Sequence, residues 1–151
     1  MAATARRSVS RREGKIIFEV PLKAAGVVYE NCAVAIDMTT GYAENFTAAA
    51  NKQFVGFAME SVDNTSGSAG ALSVRVMQDV EIEVKSLNTL TQSALGRIAY
   101  LTDNETVGLS CSYLVSTAKW KIPGGKITEI IAAQRARINT LYGTLQGTNA
   151  T

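Results

Sequence analysis

The chain contains no histidine among its 151 residues. A Ser-His-Asp or Cys-His nucleophile system therefore cannot be assembled within one copy, and metal sites lose their commonest neutral ligand. Cysteine is almost as scarce. Cys32 and Cys111 are the only two, far apart and without a CxxC pairing. Alone they cannot make a structural zinc site, and they do not read as a disulfide framework. They are expected to be reduced, semi-buried thiols of a protein made in a cytosol. Long hydrophobic runs are missing too. The longest nearly apolar stretch, residues 24–36, contains Glu30 and Asn31 and falls far short of the ~20 residues of a membrane helix. The first fifteen residues are arginine-rich with no apolar centre, so they are not read as a signal peptide. No internal repeat is visible.

What is present is period-two alternation broken by polar turns. The clearest case runs from Leu72 to Lys85, where even-numbered residues are apolar except Gln78. Successive side chains of a strand point to opposite faces. The segment is therefore expected to have a core face (Leu72, Val74, Val76, Val80, Ile82, Val84) and a wet face (Arg75, Asp79, Glu81, Glu83, Lys85). Shorter strand-like runs are Ile16–Val20, stopped by Pro21, then Val27–Tyr29, Cys32–Asp37, Phe54–Met59, Arg97–Leu101 and Thr106–Leu109. The turns between them are rich in Asn, Asp, Ser, Thr and Gly, above all Asp63–Gly70. Asn45–Lys52 has room for one helical turn. Lys121–Gly125 reads as a turn. Many short strands at close spacing predict an all-β chain, a small barrel-like or sandwich-like domain over residues 16–142. Residues 1–15 are expected to be a flexible basic arm and 143–151 a flexible tail.

The last element has two readings. Ile127, Ile131, Gln134, Ile138, Leu141 and Leu145 follow a 4-3-4-3-4 spacing, as on a helical seam. The same residues also fit a hairpin of Ile127–Ile131 and Ala136–Leu141.

Charge is unevenly placed. Residues 1–15 carry Arg6, Arg7, Arg11, Arg12 and Lys15 against Glu13, a net +4. Residues 16–115 carry five basic and eleven acidic residues, a net −6. Residues 116–151 return to +4, with five basic residues against Glu129. Basic ends can pair with the acidic bodies of identical neighbours, or with another acidic surface, over a screening length of ~8 Å.

The motifs with chemical potential have plainer explanations. Glu81 and Glu83 share a strand face, as paired carboxylates of glycosidases can, but they simply occupy outward positions of an amphipathic strand. Gly67-Ser68-Ala69-Gly70 precedes a strand, and no GK[ST] follows, so it is a turn and not a phosphate cradle. The arginine doublets have the charge to contact phosphates, yet lack the aromatic interleaving of single-strand binders.

Three blocks resemble the capsid cement, or head decoration, proteins of tailed bacteriophages. The first is Gly26–Asp37, followed by Gly41-Tyr42-Ala43. The second is Phe54–Asn64, with Gly67 and Gly70 ahead of the alternating strand. The third is Leu95–Val107. The resemblance implies a small β-barrel-like domain that catalyses nothing and takes no cofactor or metal. It sits on the outer capsid surface of the virion, commonly as a homotrimer, and braces neighbouring major capsid subunits. It also favours the C-terminal hairpin over the helix. The arm lies outside the resemblance. From charge and composition alone, Arg6, Arg7, Arg11, Arg12, Lys15, Ile16 and Phe18 are the expected capsid or subunit interface. The arginines would meet acidic residues such as Glu81 and Glu83, and the segment from Ile16 would add a strand to a neighbour's sheet edge. A tail or fibre component, or a basic-armed β-barrel that binds nucleic acid, are the alternative readings. No membrane or small-molecule partner is expected.

Overall fold

The computed structural model describes residues 2–7, 9, 11–12, 16–109 and 122–140. Cys111, Lys15 and the tail at 143–151 lie outside these residues. The described chain is mainly β, with no α-helix among the described residues. Its strands are β1 (Arg11–Arg12), β2 (Ile16–Pro21), β3 (Val27–Val28), β4 (Ala33–Asp37), β5 (Ala43–Asn45), β6 (Lys52–Ala58), β7 (Val62–Asp63), β8 (Ser73–Gln78), β9 (Glu81–Ser86), β10 (Ile98–Leu101), β11 (Thr106–Gly108), β12 (Pro123–Ala132) and β13 (Arg135–Asn139). The helical turn expected within Asn45–Lys52 is not formed. A single 3-10 turn stands instead at Gln92–Ala94, where Ala94 enters the core.

The strands make two curved sheets. In one, β9, β11, β10, β12 and β13 pair in that order, and β13 returns to β9, so five strands close into a barrel. All its pairs are antiparallel except β11 with β9. The other sheet, β2-β8-β6-β4-β5, is antiparallel throughout and curls into a half-barrel. A lone bridge from Leu22 to Ala43 draws its two edges together. Strands β3 and β7 form a separate two-stranded ribbon.

Two apolar cores result. One lies within the half-barrel and holds Val20, Leu22, Val28, Val34, Ala43, Val55, Ala58, Val74 and Val76. The larger gathers buried residues of every barrel strand, among them Ile82, Val84, Leu101, Val107, Ile127 and Ile138. It also takes Ala33, Ala35, Phe54, Phe57 and Met77 from the half-barrel sheet. Strands β4 and β6 are thus covered on both faces, which is why they read as continuous apolar runs instead of alternating ones. Phe46, Phe54 and Phe57 stack edge to face in series, with centroids 6.3 and 5.5 Å apart.

A bulge sets the parity of β6. Phe54 and Phe57 face one core while Val55 and Ala58 face the other. An odd spacing on one face requires an inserted residue. Val34 pairs with Gly56 and Ala35 with Phe54, so Val55 is the extra residue, and Gly56 beside it takes φ 144°, where a Cβ would lie 2.5 Å from the Met77 carbonyl oxygen.

The long alternating segment is corrected in one respect. It is two strands, β8 and β9, in different sheets, broken where Asp79 takes φ 53°. Val74 and Val76 enter the half-barrel core, whereas Val80, Ile82 and Val84 enter the other. Gln78, the exception in the apolar pattern, ends β8 and donates its side-chain amide to the Val55 carbonyl. Leu72, expected in the core, is 44% exposed because it precedes the strand and lies beyond the rim.

The C-terminal element is the hairpin β12–β13. Ile127 and Ile138 stand opposite each other and are both buried, whereas Gln134 is exposed at the tip. The cross-strand pairing of the two isoleucines outweighs the helical spacing. Pro123–Gly125, read as a turn, already belong to β12, with Gly125 at φ 155° against the Asn139 carbonyl.

Candidate functional site

The N-terminal arm returns onto its own body. Strand β9 has β13 along one edge from Glu81 to Lys85. Its other edge is shared. β1 pairs there with Glu81 and Ile82, and β11 with Lys85 and Ser86. Between them, at Glu83, the Arg7 side chain takes the place of a strand. Its Nη2 donates to the Glu83 carbonyl at 2.6 Å and its Nη1 to the Asn31 carbonyl at 3.0 Å, while its Nε lies 3.3 Å from the Glu105 carboxylate.

Sequence and geometry explain why an arginine can be buried there. A guanidinium offers five donors in a fixed fork, and three acceptors converge on it. Asn31 sits at φ 63°, a conformation asparagine tolerates better than most residues, and its side-chain amide returns a bond to the Arg7 carbonyl. Glu105 leaves the turn whose amides at Glu105 and Thr106 are held by Asp103. Its carboxylate is 6% exposed and also binds Lys85 at 2.6 Å. Asn104 exchanges two hydrogen bonds with the Ala3 backbone and donates to Asn45. Val9 packs against the larger core.

The expected interface residues therefore divide. Arg7, at 8% exposure, belongs to the interior and is not a free surface charge. Arg6 is 71% exposed and pairs with Glu30 at 2.8 Å. The backbones of Arg11 and Arg12 pair with Ile82 and Glu81. Ile16 and Phe18 pair with Gln78 and Val76 of β8, so this segment completes a sheet of its own chain. The composition predicts an arm ordered only by a partner. For the described residues, the structure supplies those contacts within the chain. Glu83, read as solvated, is 15% exposed and paired with Arg135. Asn31, Asn104 and Glu105 escaped the sequence reading. Their only signal was a surplus of polar residues at turns.

Cys32 lies beside this cluster, fully buried and free. Burial pushes its thiol up to about 11, with Glu105 adding to the rise and Arg7 opposing it. The thiol is therefore protonated at neutral pH and a poor nucleophile.

Two hollows flank the clamp. One, of about 230 Å³, is lined by Arg7, Val9, Glu83, Lys85, Glu105 and Arg135 among others. The other, of about 440 Å³, lies past Lys85 and Arg135 toward the hairpin tip. A separate charge cluster ties the half-barrel edges. Glu44 lies between Lys23 and Lys52, and Lys52 also reaches Asp37 at 2.8 Å. Among the described residues there is no group of three potential metal ligands, and no helix long and apolar enough to cross a membrane.

No family model, no curated protein and no solved structure matches the chain.

Proposed function

We propose that this chain is a structural virion protein. In this reading it binds the outer surface of a phage head, as a homotrimer, and braces neighbouring major capsid subunits. It acts by binding and catalyses nothing. The observation that carries the reading is where the three resembling blocks fall. The first spans β3, β4 and β5, the second β6 and β7, and the third β10 and β11. All three are thus strand-and-turn units of a mainly β body, as the cement family would require.

The physical case is consistent with that role. A ligand that binds an assembled shell and not its open state stabilises the shell by mass action. Such a ligand needs area, rigidity and repeated contacts, and a trimer multiplies weak contacts through effective concentration. The body offers two cores that share a sheet. The nucleic-acid reading loses ground, because Arg7 is committed to Glu105, Asn31 and Glu83 and Arg6 to Glu30.

The test is to add purified protein to heads assembled without it, and to image particles with and without it. Saturable occupancy on the head surface, with raised resistance of the heads to heat, is expected. Finding the protein only on tails, or only on free DNA with steep salt dependence, would overturn the proposal.

A further inference from the structure

We propose that the hollow rimmed by Lys85 and Arg135 is a docking groove for an acidic, extended segment of a partner protein. Resting on the reading of the chain as a shell-binding protein, that segment belongs to the outer face of the shell.

The groove is layered by charge. Behind it, lining the adjoining hollow, lie the carboxylates of Glu105 and Glu83, 6% and 15% exposed. Above them stand Lys85 and Arg135, 57% and 54% exposed, each tied to one of those acids. The ion pairs fix the cations in place without hiding them. A group entering from solvent meets N–H donors first. With Arg7 behind them, three cations stand against two carboxylates, so the cluster keeps one positive charge. Electrostatic complementarity of this kind steers association and selects acidic partners.

The rest of the lining suits a peptide. Ser86, Thr106 and Gln134 complete the walls, and Leu87 stands at the edge with 44% of its surface exposed. Leu87 can seat one apolar side chain of the incoming segment. Among the described lining residues none is aromatic, so a nucleic-acid strand would find charge there but no described ring on which to stack its bases. The site is also held rigid. It lies where the parallel pair β9–β11 meets the hairpin tip, and the Ser86 amide donates to the Gln134 carbonyl at 2.8 Å. Preorganisation lowers the cost of binding.

The experiment uses full-length protein and two probes. One is the capped peptide Glu-Glu-Leu-Glu-Glu, with its all-lysine counterpart as control. The other is heads assembled without the protein. The variants are the pair Lys85→Gln with Arg135→Gln, the single Leu87→Asp, which leaves both ion pairs in place, and Arg97→Gln as an exposed cation outside the groove. Thermal melts establish folding, and sedimentation reports self-association. The acidic peptide should bind the wild type and Arg97→Gln. Both groove variants should weaken peptide and head binding by about ten-fold or more. Peptide binding that is absent, or unchanged in both groove variants, would overturn the groove. So would a loss of self-association without loss of head binding, since the occupant would then be a second copy. Retained peptide binding by a wild type that ignores heads would support the groove and overturn the shell reading.

Discussion

The Arg7 guanidinium meets the Glu83 carbonyl, 2.6 Å away, at the one stretch of that β9 edge between β1 and β11. A side chain thus completes a barrel edge that two strands leave open. The same group also answers the buried Glu105 carboxylate.

Removing that group should be costly. Arg7→Ala leaves Glu105 with only Lys85 among the described cations and strips the Asn31 and Glu83 carbonyls of a donor. Breaking a buried charged contact of this kind costs about 3 kcal/mol or more. Arg6→Ala removes an ion pair whose cation is 71% exposed and should cost less than about 1 kcal/mol. Urea denaturation of the two variants makes the comparison. Equal, small effects would mean that the arm does not hold the body.

The two halves of the alternating segment make a second comparison. Ile82 is fully buried, whereas Leu72 is 44% exposed. Ile82→Ala should destabilise by about 2–5 kcal/mol, and Leu72→Ala by less than about 1 kcal/mol. A reversed order in chemical denaturation would contradict the assignment of the faces.

Gly56 supports a narrower prediction. Gly56→Ala places a methyl 2.5 Å from the Met77 carbonyl oxygen at a φ of 144°. Both the clash and the backbone conformation oppose it, and strain of this type costs about 1–3 kcal/mol. A flexible neighbour cannot yield, because the obstructing atom is backbone. An unchanged thermal midpoint would show that the bulge relaxes freely.

Periodicity and apolar runs revealed the longer strands, because both record local geometry, but the short β1, β5 and β7 carry no such signal. Neither revealed which core a face serves. Val76 and Val80 carry the same parity in the sequence, yet the turn at Asp79 sends them to different cores. The helical spacing of Ile127 and Ile138 was real but secondary, since their cross-strand pairing buries both. The clamp was less legible still. Arg7 reads as one charge in a basic run, and its acceptors lie 24, 76 and 98 residues away at Asn31, Glu83 and Glu105. Only the tertiary fold brings them together.

The cluster at the half-barrel edge should register in acid. Lys52 donates to the Asp37 carboxylate, and the Thr39 amide adds a second bond, which together hold Asp37 down at about 2. For Glu44, burial pushes the carboxyl up, but Lys23 and Lys52 outweigh it and leave it below its ordinary value. A carboxylate depressed in the folded state favours folding fully above its unfolded pKa, near ~4. That contribution disappears as pH falls through the folded value. Lys52 is shifted the other way. Burial alone would lower it, but Asp37 and Glu44 raise it, so its own contribution is lost only above the ordinary lysine range. Lys52→Met deletes the shared partner of both acids. The stability gap between wild type and variant should therefore be level from pH ~5 to pH ~8 and narrow from pH ~4 down toward pH ~2. The Glu60–Arg75 pair, which also depresses a carboxylate, is common to both proteins and drops out of the difference. Urea midpoints taken at stepped pH read the gap directly. Parallel curves through the acid range would show that Lys52 does not set the charge of this edge.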